Sequence, residues 1–471
     1  MQYIKSQQGK LLIQLNSYLY RKEKIHKDVE YWRCIDKLCT GRLNLKYEEI
    51  IKGPSDHNHV ADIIKNQAKV VVENIKNRAV ETQDNPAVII SESSSSVVPI
   101  VFCALPQIAY LKRTIQRTRQ RNCLAPPNPQ ILDDLHQLPI EYKLTTHGKQ
   151  FVLYDSVDDY GLSNQRIIIF CTSDSLDLMS KSDHWFSDGT FKSAPPIFNQ
   201  IYTIHVLKHD RCIPTLYALL PDKKSSTYVR LLKKLKEIKN SLNPKSILTD
   251  FENASINAFK EVFPQIENRG CFFHLSQCIW RKLQTITSMQ EKYINDPNFS
   301  IQIRLLPALA FVPINDVEKA FEELLDTEYY KEHEDFLQPI VDYFEDTWIG
   351  RPTRRQGRRN SIFSIQMWNC YEATKHGLPK TNNSIEGWNR GFNCLLGSCN
   401  PTIWKFIKAL QNQQTLVDMQ LHQINSGIRS SNKKKKYNDS AEKLKNIVDD
   451  YYNIPTIQYL KGIAYNFSLQ V

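Results

Sequence analysis

The feature that most constrains this chain is a change of hydrophobic period between residues 165 and 284. At first the apolar residues come in short β-type runs: QRIIIFCTS (165–173), HWFSDGTF (184–191), QIYTIHVLKH (200–209) and CIPTLYALLPD (212–222). Their Ile, Val, Tyr and Thr content suits strands. From residue 225 the pattern alternates. SSTYVRLLKKLKEIKNSL (225–242) sets leucines at helical spacing behind the capping candidates Ser225 and Ser226. SILTDFE (246–252) reads as a strand before the helical ASINAFKEVF, and NRGCFFH (268–274) as a strand before the helical LSQCIWRKLQ. A run of strands followed by strand–helix alternation predicts an α/β core, an antiparallel meander continued by parallel crossovers.

Beyond this core the chain reads mainly helical from about residue 289 to 350; in NDVEKAFEELLDTEYY, Val317, Ala320, Phe321, Leu324 and Leu325 share one face. The C-terminal third continues helical into a polar stretch with KKKK at 433–436. On the other side, SESSSS (91–96) after the polar ETQDNP predicts a flexible linker. LPQIAYLKRTIQRTRQRN (105–122) predicts a helix ended by the prolines of APPNPQ, with Arg113, Arg117 and Arg121 on one face. At 471 residues, 41% hydrophobic and 10% aromatic, the chain has enough apolar material for about three domains. The excess of 61 Lys and Arg over 50 Asp and Glu permits a polyanionic partner. No apolar run approaches the ~20 residues of a membrane span, and the N-terminus lacks a signal-peptide core. Eleven cysteines with no secretion signal predict reduced thiols in a nuclear or cytosolic compartment.

Near the N-terminus, YWRCIDKLCTGRL supplies Cys34 and Cys39, and DHNHV supplies His57 and His59. Four such ligands within 26 residues match the tetrahedral preference of structural zinc. A unit this short needs a staple, and a metal would supply the missing folding energy; two free thiols and two surface histidines are the alternative. The pattern Gly9-Lys10, Tyr18-Leu19-Tyr20, Tyr31-Trp32-Arg33-Cys34, Cys39, Arg42-Leu43, His57-Asn58-His59 resembles the FLYWCH zinc finger. That resemblance implies a chromatin- or DNA-associated module that binds Zn²⁺.

Three acids stand out further on. Asp188 ends one strand, Asp250 ends another, and Glu386 opens a helix in TNNSIEGWNRGF that also carries Trp388 and Phe392. Each has a plain structural explanation as a turn opener, a helix cap and a first-turn acid. Acids at strand ends, drawn from distant parts of the chain, also suit a divalent-metal site for phosphodiester chemistry. HWFSDGTFK, ILTDFENASINAFKEVFP, RGCFFHLSQCIWRKLQ and KTNNSIEGWNRGF, in that order, resemble the transposase domain of Mutator-like elements, over about residues 105–410. The resemblance implies an RNase H-like mixed sheet with a helical insertion and a DDE triad of Asp188, Asp250 and Glu386 holding Mg²⁺ or Mn²⁺. It divides the chain into a zinc finger (1–65), a Ser-rich linker (66–100), a basic helical region (101–150), the first part of the core (151–288), the insertion (289–380), the last part of the core (381–425) and a tail (426–471). Within it, Cys271 and His274 match the family's C-x-x-H; they are half of a zinc site completed by Cys370, His376, Cys394 or Cys399, or else a buried cysteine beside a helix-opening histidine. Phe191 is expected to anchor the strand end in the core, with Gly189 giving the chain freedom next to Asp188.

RPTRRQGRRN puts Arg351, Arg354, Arg355, Arg358 and Arg359 in one loop before Glu386. A phosphate-gripping loop is the preferred reading, with a solvated charge run as the alternative. The Arg113/Arg117/Arg121 face is weighed evenly between DNA and solvent, and the lysine run suits nuclear import. Taken together, the resemblances imply a nuclear transposase that binds double-stranded DNA at element ends and cuts and joins strands. The synapsis of two ends implies a homodimer, and no membrane is involved. The alternatives are a domesticated, non-catalytic DNA-binding or chromatin protein on the same fold, and an element protein with its sites intact but immobile.

Overall fold

The computed structural model describes residues 1–5, 10–82, 84–122, 125–161, 164–209, 211–354, 357–397, 400–427 and 435–469. The chain divides into two compact units, Met1–Pro126 and Pro127–Val471.

The first unit opens with an antiparallel six-stranded meander of β1 (Gln2–Lys5), β2 (Leu11–Leu15), β3 (Tyr18–His26), β4 (Val29–Cys34), β5 (Arg42–Lys46) and β6 (Glu49–Lys52). Three of its hairpins turn on two residues that both have positive φ: Asn16-Ser17, Lys27-Asp28 and Tyr47-Glu48. Such turns match the right-handed twist of paired strands. The pleat sends Ile13, Tyr20, Trp32, Leu43 and Leu45 into one small core. Three helices follow: α1 (Ile63–Glu81), α2 (Pro86–Ser94) and α3 (Ile108–Asn122). Residues 66–100, expected as a Ser-rich linker, are thus largely helical. Val71, Ile75 and Ala79 recur every four residues on α1 and pack with Ile89 of α2 and Leu111 and Ile115 of α3. Asn85 caps α2 and Pro86 occupies its first turn, so the serines of 91–94 close a helix that Ile89 has already anchored.

The second unit is built on a seven-stranded mixed sheet. Its strands are β7 (Val152–Asp155), β8 (Ile168–Phe170), β9 (His184–Thr190), β10 (Gln200–Lys208), β11 (Arg211–Leu220), β12 (Ser246–Thr249) and β13 (Glu267–Gly270), in the spatial order β13-β12-β9-β10-β11-β8-β7. The β7–β11 half is antiparallel, while β9–β12 and β12–β13 are parallel. Pro214, which cannot donate to a ladder, sits opposite His205 where the β10–β11 register shifts. The crossovers α4 (Ser225–Ile238) and α5 (Asn253–Val262) bury Leu231, Leu232, Leu235, Ala258 and Phe259 against the sheet. The strand expected at 268–274 stops at Gly270, and Phe272 already opens α6 (Phe272–Gln284).

Helices then build a second core: α7 (Pro297–Ala308), α8 (Val317–Leu325) and α9 (Glu334–Phe344) lead the chain to Trp348. Val317, Ala320, Phe321 and Leu324 are buried there, with Leu325 partly so, as their shared face predicts. The chain returns to the sheet through α10 (Asn383–Leu396) and α11 (Ile403–Asn425). Its end, expected as a tail over 426–471, forms α12 (Lys435–Asp449) and α13 (Thr456–Ala464) instead. Leu444, Val448, Tyr459, Leu460 and Ile463 are apolar at helical spacing and complete the core of the helical region. Arg304 donates to the carbonyls of Ala464 (3.2 Å) and Phe467 (2.8 Å), satisfying the last turn of α13. The basic helical region expected at 101–150 is also divided. Residues 127–150 lie in the second unit, where Trp404 and Gln411 of α11 donate to the carbonyls of Pro127, Glu141 and Leu144. Among the described residues, no helix is long and apolar enough to cross a membrane.

Candidate metal centres

Cys34 is the last residue of β4, Cys39 lies in the loop to β5, and His57 and His59 follow β6. The meander brings all four together, with one donor atom from each lying within 4.8 Å of the others. Cys39 Sγ is 3.2 Å from His57 Nδ1, and Cys34 Sγ is 3.3 Å from His59 Nε2. A tetrahedral zinc with bonds of about 2.0–2.3 Å spaces its ligands by roughly 3.3–3.8 Å, so the donor set fits that ion. The remaining ring nitrogens are engaged, His57 Nε2 with the Tyr20 hydroxyl at 2.7 Å and His59 Nδ1 with the Val60 carbonyl at 3.0 Å. Partners of this kind fix ring orientation in metal-binding histidines. Tyr18 stacks on His57 with ring centroids 3.5 Å apart, and the backbone N–H of Gly41 donates to Cys39 Sγ. A Cβ on Gly41 would lie 2.5 Å from His57 Cε1, so only glycine admits the ring.

In the second unit the β9–β12 register pairs Ser246 with His184 and Leu248 with Phe186. Continued by two residues, it brings Asp250 level with Asp188. Both acids then stand toward the carboxyl ends of neighbouring parallel strands, where open α/β sheets gather ligands. Glu386 is in the first turn of α10, whose Ile385 packs on Phe186 and Leu248 directly beneath the two acids. Burial, then Asp250, then Glu386 push Asp188 up to about 7, against the hydrogen bond from Asn389. Asp250 is also raised by burial, opposed by the backbone N–H of Glu252 and by Lys223. Phe251 lies on Trp348 and Phe363, and a Cβ on Gly270 would stand 2.4 Å from its ring. The close approach of β13 to residue 251 therefore depends on that glycine. Among the described residues, the zinc-finger cluster is the one group of three or more Cys, His, Asp or Glu whose donors lie within 4.8 Å of one another. Asp250 and Glu386 both stand near enough to Asp188 to raise it.

Two side chains here have roles that sequence reasoning missed. Asn389 donates to Asp188 Oδ2 at 2.8 Å, and Glu252 accepts from the Tyr228 hydroxyl at 3.0 Å with Lys223 Nζ 3.7 Å away. Asn389 lies one turn past Glu386, a spacing that puts both on one helix face and was legible in EGWN. Phe191, expected to anchor the strand end in the core, is 45% exposed beneath Lys223 Nζ, 3.9 Å from its ring centre. A Cβ on Gly189 would meet Gln200 Oε1 at 2.4 Å, so a larger residue there requires the Gln200 amide to shift.

Cys271 caps α6, with its thiol accepting from the Asn382 N–H at 3.2 Å, and His274 is lowered by burial against the opposing field of Glu386. No third ligand joins this pair among the described residues: Cys370 is buried in the helical core, His376 is exposed beside Glu372, and Cys394 is exposed. Cys399, the fourth candidate completion, lies outside the described residues. In the arginine loop, Arg351 pairs with Asp342 and Asp346, and Arg358 with Glu345 (2.7 Å) and Glu322 (3.0 Å). These acids neutralise two of the five arginines expected to grip phosphate, whereas Arg354 and Arg359 are exposed. On α3, Arg113, Arg117 and Arg121 are all exposed, opposite the buried Leu111 and Ile115. Gly9, Arg355, Cys399, Lys433 and Lys434 lie outside the described residues.

Residues 184–278 match the family model of the MULE transposase domain, and residues 3–59 that of the FLYWCH zinc finger domain. No curated protein matches the chain. Among solved structures, the Drosophila P element transposase strand transfer complex aligns at 12% identity over 88% of this chain and 92% of that one, with a TM-score of 0.21, an overlap too loose to argue from. This protein therefore joins an N-terminal FLYWCH zinc finger to a MULE transposase domain that contains Asp188 and Asp250.

Proposed function

We propose that the chain is a nuclear DDE transposase that binds element-end DNA and catalyses metal-dependent strand cleavage and strand transfer. In this reading residues 151–288 and 381–425 are two parts of an RNase H-like core, and 289–380 is its helical insertion. The sheet order, in which the antiparallel run β9-β10-β11 is continued on its β9 side by the parallel strands β12 and β13, supports that assignment. The observation that carries the catalytic reading is the meeting of Asp188, Asp250 and Glu386, acids from three distant segments, at one buried spot where burial first, and the neighbouring acids after it, hold Asp188 up to about 7. Among the described residues no cation pairs with Asp188, so a divalent ion, Mg²⁺ or Mn²⁺, fits a local excess of negative charge carried by hard oxygen donors. When bound, the ion supplies Lewis-acid activation of the attacking oxygen and stabilisation of the leaving one.

The chain's own residues hold the parts in place. Asp188 is fixed by Asn389, and Glu386 is fixed through Ile385 on the sheet. Phe251 wedges beside Asp250 against Trp348 and Phe363, which ties the strand end to the helical core. Arg354 and Arg359, exposed in the loop beyond Trp348, and the arginine face of α3 remain available to DNA phosphates. Joining calls for two ends held together, which a homodimer would supply. The zinc finger would bind duplex DNA and be stapled by Cys34, Cys39, His57 and His59.

The test is Mg²⁺-dependent cleavage of candidate end DNA by wild type and Asp188→Asn. Cleavage by wild type alone is expected, and equal cleavage by both sinks the assignment. The second reading is a domesticated DNA-binding or chromatin protein on the same fold, without catalysis. DNA binding without cleavage in either protein would select it.

A further inference from the structure

Asn389 is the one side chain that reaches from the Glu386 helix to the Asp188 carboxylate by a hydrogen bond among the described residues. Its Nδ2 donates to Asp188 Oδ2 at 2.8 Å, while its Oδ1 is buried and has no hydrogen-bond partner. An amide oxygen left so, beside a carboxylate, is a neutral hard donor of the kind divalent cations accept. The helix is set for this two turns earlier. Asn382, at its start, donates through Nδ2 to the Ser187 carbonyl (3.3 Å) and through its backbone N–H to Cys271 Sγ (3.2 Å). Two asparagines seven residues apart, two helical turns, therefore clasp β9 at consecutive residues, Ser187 and Asp188. Ile385, between them, presses on Phe186.

We propose that Asn389 is a positioning residue of the carboxylate site, orienting Asp188 through its Nδ2 and turning its Oδ1 toward the divalent ion. The inference rests on the reading of Asp188, Asp250 and Glu386 as an ion-holding set and adds to it a neutral fourth member. A packing role would need only the volume of the side chain, and leucine supplies that volume without either polar atom. Aspartate keeps an oxygen in the place of Oδ1 and loses the donor.

The test uses the zinc-loaded full chain and Tb³⁺ as a luminescent stand-in for the divalent ion, sensitised by Trp388, the neighbour of Asn389. Wild type should bind the ion and Asp188→Asn should not. Asn389→Leu should weaken affinity about 10–100-fold, the usual effect of removing a residue that orients a metal ligand. Asn389→Asp should recover it to within a few-fold of wild type. Should the leucine variant not fold, Asn389→Ala is read in the same way. Unchanged affinity in Asn389→Leu or Asn389→Ala overturns the inference and leaves the carboxylate site standing. A wild type that binds no ion, or an Asp188→Asn variant that binds as well as wild type, overturns the site and the inference with it.

Discussion

At the scale of single residues, the second unit concentrates its electrostatic tension on Asp188. Its carboxyl is held at about 7 against an ordinary value of 3.8, so the folded chain binds a proton there that the unfolded chain has released. The metal-free protein is therefore expected to lose stability as pH rises from about 4 to about 7 and to level off above that. Asp188→Asn should flatten this slope and raise stability at pH 8, by on the order of 2–4 kcal/mol from a shift of this size. Urea unfolding at pH 5 and pH 8 in chelator reads both effects; a wild type as stable at pH 8 as at pH 5 would contradict the tension. The zinc finger offers a second residue-scale prediction. Gly41→Ala would drive a methyl group to within 2.5 Å of His57 Cε1. Zinc affinity should fall at least tenfold, measured by competition with a chromogenic chelator, with the second unit unaffected.

At the scale of elements, the best-defined junction is the buried pair Arg166–Asp155 at the β7 edge of the sheet. Arg166 is fully buried and gives Asp155 two bonds, 2.8 Å from Nε and 2.6 Å from Nη2, while it also donates to the carbonyls of Leu135 and His136. Arg166→Met strands a buried carboxylate and should cost about 3–5 kcal/mol, whereas pairing it with Asp155→Leu should recover much of the loss. Equal losses in the single and double variants, by chemical denaturation, would show that the carbonyl contacts carry the junction instead. The sheet that this pair secures was largely legible in the sequence, because strands covered on both faces leave continuous runs such as QIYTIHVL. Elements whose burial depends on distant partners were not. The serines of 91–94 read as a linker because composition hides the single Ile89 that anchors α2. The lysines before α12 concealed the stripe of Leu444 and Val448 that packs onto the helical core. Asp188 and Asp250 were visible as strand-end acids, but their alignment is a property of register, which only pairing supplies. Asn389 was missed because a polar residue on an amphipathic helix ordinarily faces water.

At the scale of the whole molecule, each of the chain's two compact units is stabilised by different physics, and removing zinc should affect the first and spare the second. Among the described residues the meander's main core is Ile13, Tyr20, Trp32, Leu43 and Leu45, with Tyr3, Leu15 and Tyr18 packed partly buried against it. A core of that size rarely sustains a sheet without a staple, and here Cys34, Cys39, His57 and His59 tie the ends of β4 and β6 to one point. The second unit draws instead on two extensive apolar cores, around the sheet and within the helical region, and uses no cluster of that kind among the described residues. Chelation should therefore strip hydrogen-exchange protection from the amides of β2–β5 while those of β10 and β11 keep theirs. Restored Zn²⁺ should return the protection, and Mg²⁺ should not, because thiolate and imidazole donors suit the softer ion. If β2–β5 stayed protected without metal, the three helices packed after the meander would have to be its true support, since Val70 of α1 lies against Ile4, Leu12 and Leu19.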